Sequence, residues 1–160
     1  MRLEGSCHCG AVRFGVEAAH AVPFNRCYCS VCRKTGGGGG YAINLGANAQ
    51  TLEVEGREHV SIYQITLDES GEKSPAQRHF CNQCGTALWV ADPRWPTHLH
   101  PFASAIDSEL PVAPKSTHMM LASKASWVRA EVAPGDAVFE AYPNESLAKW
   151  HQHLGLESTP

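Results

Sequence analysis

"FCNQCGTALWV", residues 80–90, joins a metal knuckle to a strand. The two-residue spacer between Cys81 and Cys84 lets both sulfurs reach one ion, and Gly85 behind them can take the positive φ that turns the chain away. "TALWVAD" (86–92) continues as a short β-rich run closed by a turn residue. A second segment, "CHCG" (7–10), repeats the trailing glycine and leads into "AVRFGVEA" (11–18), where Val12, Phe14 and Val16 alternate with Arg13, Gly15 and Glu17 as in a half-buried strand. Two cysteine pairs, each entering a strand, imply a mainly β chain organised around metal.

The cysteine count extends that reading. There are seven, in three clusters: Cys7 and Cys9; Cys27, Cys29 and Cys32; Cys81 and Cys84. An odd number cannot pair fully into disulfides, and the N-terminus "MRLEGSCHCG" has no apolar signal region, so the expectation is a cytoplasmic chain whose thiols stay reduced unless a metal holds them. Structural zinc takes four tetrahedral ligands, commonly two from each of two segments, and Cys7, Cys9, Cys81 and Cys84 supply that number. Cys27, Cys29 and Cys32 then form a three-sulfur set with one position open, the stoichiometry of a catalytic site. The plainer alternatives are one zinc with three idle cysteines, or an iron–sulfur cluster, for which a fourth nearby partner is missing.

Composition narrows the function. Thirteen Lys and Arg against sixteen Asp and Glu give a net charge of −3 without a basic run, so neither nucleic acid nor a membrane surface is an expected partner. No apolar stretch approaches the length of a spanning helix. The 160 residues fit a single domain, 1–160, with 144–160 as a helical tail. Further short β runs are "YAINL", "TLEVEG", "HVSIYQIT", "HLHPFASAI" and "STHMML". In "NESLAKWHQHLG" (144–155) Leu147, Trp150 and Leu154 share a helical face, Asn144 or Ser146 can cap the start, and Gly155 stops it. One more helical turn is expected around "SVCRK".

Three thiolates on Zn(II) leave the site with a formal charge of −1, a weak acidifier of bound water but a good receptor for a soft substrate thiol. Arg26, Arg33 and Lys34 flank the set and can offset its charge or hold substrate carboxylates; as surface cations they would do neither. Gly36 and Gly37 open the five-glycine run 36–40, whose bare backbone can approach a peptide-like thiol or serve as a flexible connector. The run has no G-x-G-x-x-G pattern and no following Lys-Ser or Lys-Thr, so it is not a nucleotide loop. The deaminase and H-E-x-x-H signatures are absent too. Of the nine histidines, His8, His79, His98, His100 and His118 lie near the clusters or in strands, and each by itself reads as structural. The four tryptophans read as core and rim packing.

"GSCHCGAVRF" (5–14), "CYCSVCRKTGG" (27–37) and "FCNQCGTAL" (80–88), in that order, resemble the glutathione-dependent formaldehyde-activating enzyme family (S-(hydroxymethyl)glutathione synthase-like), whose relatives include the centromere protein V type. The stretch 114–143 is similar to the family's closing pattern. The resemblance implies an Mss4-like β fold and two zinc ions per chain. One would be structural on Cys7, Cys9, Cys81 and Cys84, and the other would be working on Cys27, Cys29 and Cys32. It implies a carbon–sulfur lyase or synthase that joins a glutathione-like thiol to an aldehyde such as formaldehyde through a zinc-bound thiolate, with Arg33, Lys34, Gly36 and Gly37 as substrate contacts. The alternative is a noncatalytic module with two structural or storage zinc sites. Neither the oligomeric state nor the acid–base residue is legible.

Overall fold

The computed structural model describes residues 1–158. Its strands are β1 (Arg2–Ser6), β2 (Arg13–Glu17), β3 (Asn25–Cys27), β4 (Ala42–Ile43), β5 (Ala47–Asn48), β6 (Glu53–Glu55), β7 (Val60–Tyr63), β8 (Gln77–Cys81), β9 (Ala87–Ala91), β10 (His98–Pro101), β11 (Thr117–Met119) and β12 (Ala137–Val138). Two α-helices accompany them, α1 (Ser30–Thr35) and α2 (Leu147–Leu154). The mainly β expectation and the short C-terminal helix both hold. Ser146 is the N-cap of α2, its hydroxyl accepting from the Lys149 N–H, and Gly155 ends the helix in the left-handed region. Residues 159 and 160 of the expected tail lie outside the described residues. Among the described residues no helix is long and apolar enough to cross a membrane.

The strands form three sheets. An antiparallel three-stranded sheet runs β1-β2-β6, and an antiparallel five-stranded sheet runs β5-β10-β9-β8-β7. The third, β12-β11-β3-β4, is mixed: β11 lies parallel to both β3 and β12, which chain separation permits, because about ninety residues divide β3 from β11. β1, β3, β5, β8 and β12 are not among the strands expected from sequence. β3, β5 and β12 are two or three residues long, too short for alternation to show, and β8, "QRHFC", carries mostly polar side chains.

Each sheet face buries its own core. Leu3, Val12, Phe14, Val16, Leu45, Leu88, Trp89 and Leu99 fill the space between the first two sheets, with Phe14 meeting Trp89 edge-on at 5.2 Å. Cys7 and Cys81 belong to this core. A second cluster gathers Cys27, Cys32, Ala42, Phe102 and Met119. The third holds α2 in place: Trp150 stacks on Phe24 at 3.6 Å, and Val22, Leu147 and Leu154 surround the pair. His151, fully buried, receives the Val22 N–H at Nε2 and donates from Nδ1 to the Leu147 carbonyl, and burial lowers its pKa. Trp89 and Trp150 pack as expected, whereas Trp95 and Trp127 are exposed.

Candidate functional site

Both cysteine sets arise where a strand stops and the chain must turn. Cys7 and Cys9 sit in the turn between β1 and β2, while Cys81 ends β8 and Cys84 lies in the turn to β9. The two turns are built alike. Gly10 donates to the Cys7 carbonyl at 3.0 Å and Gly85 to that of Cys81 at 2.8 Å, with φ of 76° and 75°, conformations a side chain would resist. Thr86 ties one turn to the other: its hydroxyl accepts from the His8 N–H at 3.1 Å and lies 3.2 Å from the Cys84 sulfur.

The four sulfurs that result lie within 4.8 Å of one another. Cys7 and Cys9 are separated by 3.5 Å and Cys9 and Cys81 by 3.8 Å, close to the edge of roughly 3.8 Å in a tetrahedron whose vertices stand about 2.3 Å from its centre. Cys84 is held down at about 5 by the Thr86 hydroxyl and N–H. Cys9 goes the other way: although the Ala11 N–H favours its thiolate, the Cys7 sulfur, desolvation and the two remaining cysteines push it up to about 12. Four thiolates at this spacing could coexist only around a cation, and the donor set fits a thiophilic one.

The second set is made differently. Cys27 ends β3, Cys29 is the N-cap of α1, and Cys32 lies one turn into that helix. The Cys29 sulfur accepts the Cys32 N–H at 3.3 Å, so a ligand-type side chain also caps the helix. Hydrogen bonds from the Cys27 and Cys32 thiols draw Cys29 down to about 2, and the same contacts push Cys27 far above the thiol range. The three sulfurs lie within 4.8 Å of one another and could hold a metal ion, but with one ligand fewer than the first set.

Beneath this set runs a buried chain of polar groups. Tyr28, between Cys27 and Cys29 and fully buried, places its hydroxyl 2.9 Å from Nδ1 of His118, whose Nε2 lies 3.1 Å from Oδ2 of Asp136. The Ser116 and Ala133 N–H groups also donate to Asp136, and with His118 they hold its carboxyl at about 2. The Tyr28 N–H donates to the Met119 carbonyl, so β11 and the segment after it fix the backbone that presents the sulfurs. His118 is fully buried between its two partners; Tyr28 and Asp136 escaped the sequence because nothing local links residues 108 positions apart.

The flanking residues fall on two sides. Arg33 is half-buried on α1 and Lys34 is exposed. Gly36 and Gly37 line a shallow recess of about 220 Å³ with Gly38, Gly39, Tyr41 and Ala103. Packing accounts for three of the five glycines. A Cβ on Gly36 would lie 2.9 Å from the Phe102 ring, one on Gly37 2.1 Å from the Tyr41 carbonyl oxygen, and one on Gly40, at φ 90°, 2.3 Å from Val128. Gly38 meets nothing within 4 Å, and Gly39 only the Tyr41 ring at 4.0 Å. Arg26 spends its guanidinium over the Tyr41 ring at 5.3 Å.

A larger cavity, about 390 Å³, opens beside Cys32. Ala87 and Phe102 line it and also pack against the Cys27 and Cys32 cluster, and Arg78, His79 and Phe80 form its β8 wall. Burial lowers the pKa of His79, which stacks on Trp89 at 5.1 Å. Arg78 is close enough to feel the charge of Cys32. The sequence singles out His79 only for lying two residues before Cys81 and does not signal Arg78 at all, because a five-residue strand of mostly polar residues does not disclose which face it turns inward.

Fold and site together define a class: a mainly β protein with a four-sulfur set shared by two hairpin turns and a three-sulfur set beside a cavity. The family model described as "Glutathione-dependent formaldehyde-activating enzyme" matches residues 2–123, a span that includes all seven cysteines, and the chain belongs to that family. It is 62% identical over 157 residues, 98% of this chain and 99% of the relative, to a Halomonas elongata protein whose name makes it, provisionally, a glutathione-dependent formaldehyde-activating enzyme. A crystal structure of a Rhodobacter sphaeroides protein shares the fold, with a TM-score of 0.52 at 24% identity, over 87% of this chain and 99% of that one.

Proposed function

We propose that the chain is a zinc-dependent carbon–sulfur lyase or synthase that joins glutathione, or a thiol like it, to formaldehyde. The observation that supports this most is the unequal ligand count: four sulfurs close one site, while Cys27, Cys29 and Cys32 leave a coordination position beside a cavity of about 390 Å³. Cys7, Cys9, Cys81 and Cys84 would hold a structural zinc ion. Cys27, Cys29 and Cys32 would hold the working one, which when bound supplies thiol activation by lowering a substrate thiol's pKa toward neutrality.

The protein's own part is to hold, orient and exclude water. Cys27 and Cys32 are buried and Cys29 is half-buried, so the set is most accessible at Cys29. Tyr28, His118 and Asp136 keep the cysteine-bearing backbone in one arrangement. Arg33, Lys34, Gly36 and Gly37 are proposed contacts for the rest of the thiol from the α1 side. In the reaction the substrate sulfur attacks the aldehyde carbon, a carbon–sulfur bond forms, and the carbonyl π pair moves to oxygen. That oxygen takes a proton equivalent to the one the thiol gave up, so the hemithioacetal forms without any redox change. The family's name agrees with this chemistry.

The test is exchange spectroscopy on glutathione and formaldehyde. Zinc-loaded protein should accelerate interconversion of free and hydroxymethylated glutathione, and Cys29→Ser should abolish the acceleration. Protein that retains two zinc ions yet leaves the exchange at its uncatalysed rate would instead be a noncatalytic zinc module.

A further inference from the structure

Arg78 is the arginine that lines the cavity beside Cys32. On the five-stranded sheet it pairs laterally with Tyr63 of β7 and Val90 of β9, and Val90 packs against the Cys27 and Cys32 cluster, so Arg78 rises from the face that carries this cluster. Its Nε is buried, and among the described residues it has no hydrogen-bond or ion-pair partner. Arg2 and Arg94 hold carboxylates and Arg26 covers Tyr41; Arg26 and Arg33 share with Arg78 a buried Nε that has no hydrogen-bond partner, but neither lines the cavity beside Cys32. A buried guanidinium nitrogen without an acceptor is costly, and Arg78 lines a cavity whose wall is otherwise largely apolar, from Tyr63, Phe80, Ala87 and Phe102, with Thr35 and His79 as its other polar residues. An anionic ligand in the cavity would give this guanidinium the counter-charge it lacks, and the planar fork of arginine matches a carboxylate.

We propose that this cavity is the acid-recognition subsite of the working centre: Arg78 takes a carboxylate of the thiol substrate, and Phe80 and Phe102 receive the carbon skeleton between that carboxylate and the sulfur. The assignment rests on the reading that a thiol is processed at Cys27, Cys29 and Cys32, and it makes Arg78 a specificity determinant that selects acidic thiols over neutral ones. Arg33 and Lys34, on α1, are left to contact other parts of the substrate.

Binding can be measured apart from chemistry with S-methylglutathione, which keeps both carboxylates but has no free thiol. Calorimetric titration of the zinc-loaded protein is expected to show saturable binding. Arg78→Gln should weaken it by at least about tenfold, the scale of a lost charge-assisted bidentate contact, and Arg78→Lys, which keeps the charge without the fork, by less. The diethyl ester of the same compound should bind wild-type protein at least about tenfold more weakly, a comparison that needs no variant and so survives any folding defect at position 78. Metal content and melting temperature should stay at wild-type values in both variants. The subsite is overturned if wild-type protein shows no saturable binding, if ester and acid bind equally, or if Arg33→Gln loses binding while Arg78→Gln keeps it. Binding that depends on Arg78 in a protein that fails to accelerate hydroxymethyl exchange would sink the catalytic reading and leave the subsite standing; exchange that is indifferent to Arg78 would do the reverse.

Discussion

As the proposed zinc sites, the two sulfur sets would use one element for opposite ends. The first draws two cysteines from each of two hairpin turns more than 70 residues apart, so filling it staples the three-stranded sheet to the five-stranded one. The second takes all three sulfurs from a six-residue segment, so filling it joins nothing that the backbone had not already joined. Where ligands come from distant segments, metal binding is folding energy; where they come from one, it is free to serve chemistry.

The largest expected effect tests the first half of that contrast. Structural zinc binds its peptide ligands with about 10–16 kcal/mol, as much as the about 5–15 kcal/mol by which whole domains are stable. Cys81→Ser is therefore expected to abolish cooperative melting, followed by near-ultraviolet circular dichroism. A melt within a few degrees of wild type would break the comparison. Cys29→Ser comes next: the melt should persist, one equivalent of metal should be lost by elemental analysis, and kcat for hydroxymethyl exchange should fall by at least about a hundredfold.

A smaller effect concerns the glycines that follow the second set. Gly40→Ala forces a methyl against Val128 at positive φ and should cost about 1–3 kcal/mol in denaturant melts. Gly38→Ala, in open space and at negative φ, should stabilise the chain by about 0.4–1 kcal/mol through the unfolded state. If Gly38→Ala keeps full activity, the loop acts as a fixed wall and not as a moving one. The smallest effect is pH-dependent. The Asp136 carboxyl is held at about 2 by the Ser116 N–H, the Ala133 N–H and His118, below its unfolded value of roughly 3.9. Its contribution is complete above about pH 4 and declines as pH falls toward about 2. The stability gap between wild type and Asp136→Asn should shrink over that interval, and a gap independent of pH would remove the carboxylate from the support of the second set.

Much of this site is written locally. The knuckle spacing of Cys81 and Cys84, the glycines behind both turns, the helical turn at Ser30–Thr35 and the α2 face of Leu147, Trp150 and Leu154 all follow from contacts within a few residues. Counting cysteines then separates a group of four from a group of three without coordinates, and the structure brings together the same two groups, each of which could hold a metal ion. The five glycines were ambiguous for the opposite reason: what makes Gly37 and Gly40 necessary is a carbonyl at Tyr41 and a side chain at Val128, neither of which a glycine run announces.

By itself, then, the sequence determined the mainly β class, the two sulfur sets and their unequal stoichiometry, because short-range spacing limits which sulfurs can share an ion. Only the tertiary structure decided that Tyr28, His118 and Asp136 form one buried chain, and that Arg78 lines the cavity beside Cys32. Those placements depend on sheet pairing and on which face of a short strand is buried, and both are set by segments far away in the chain.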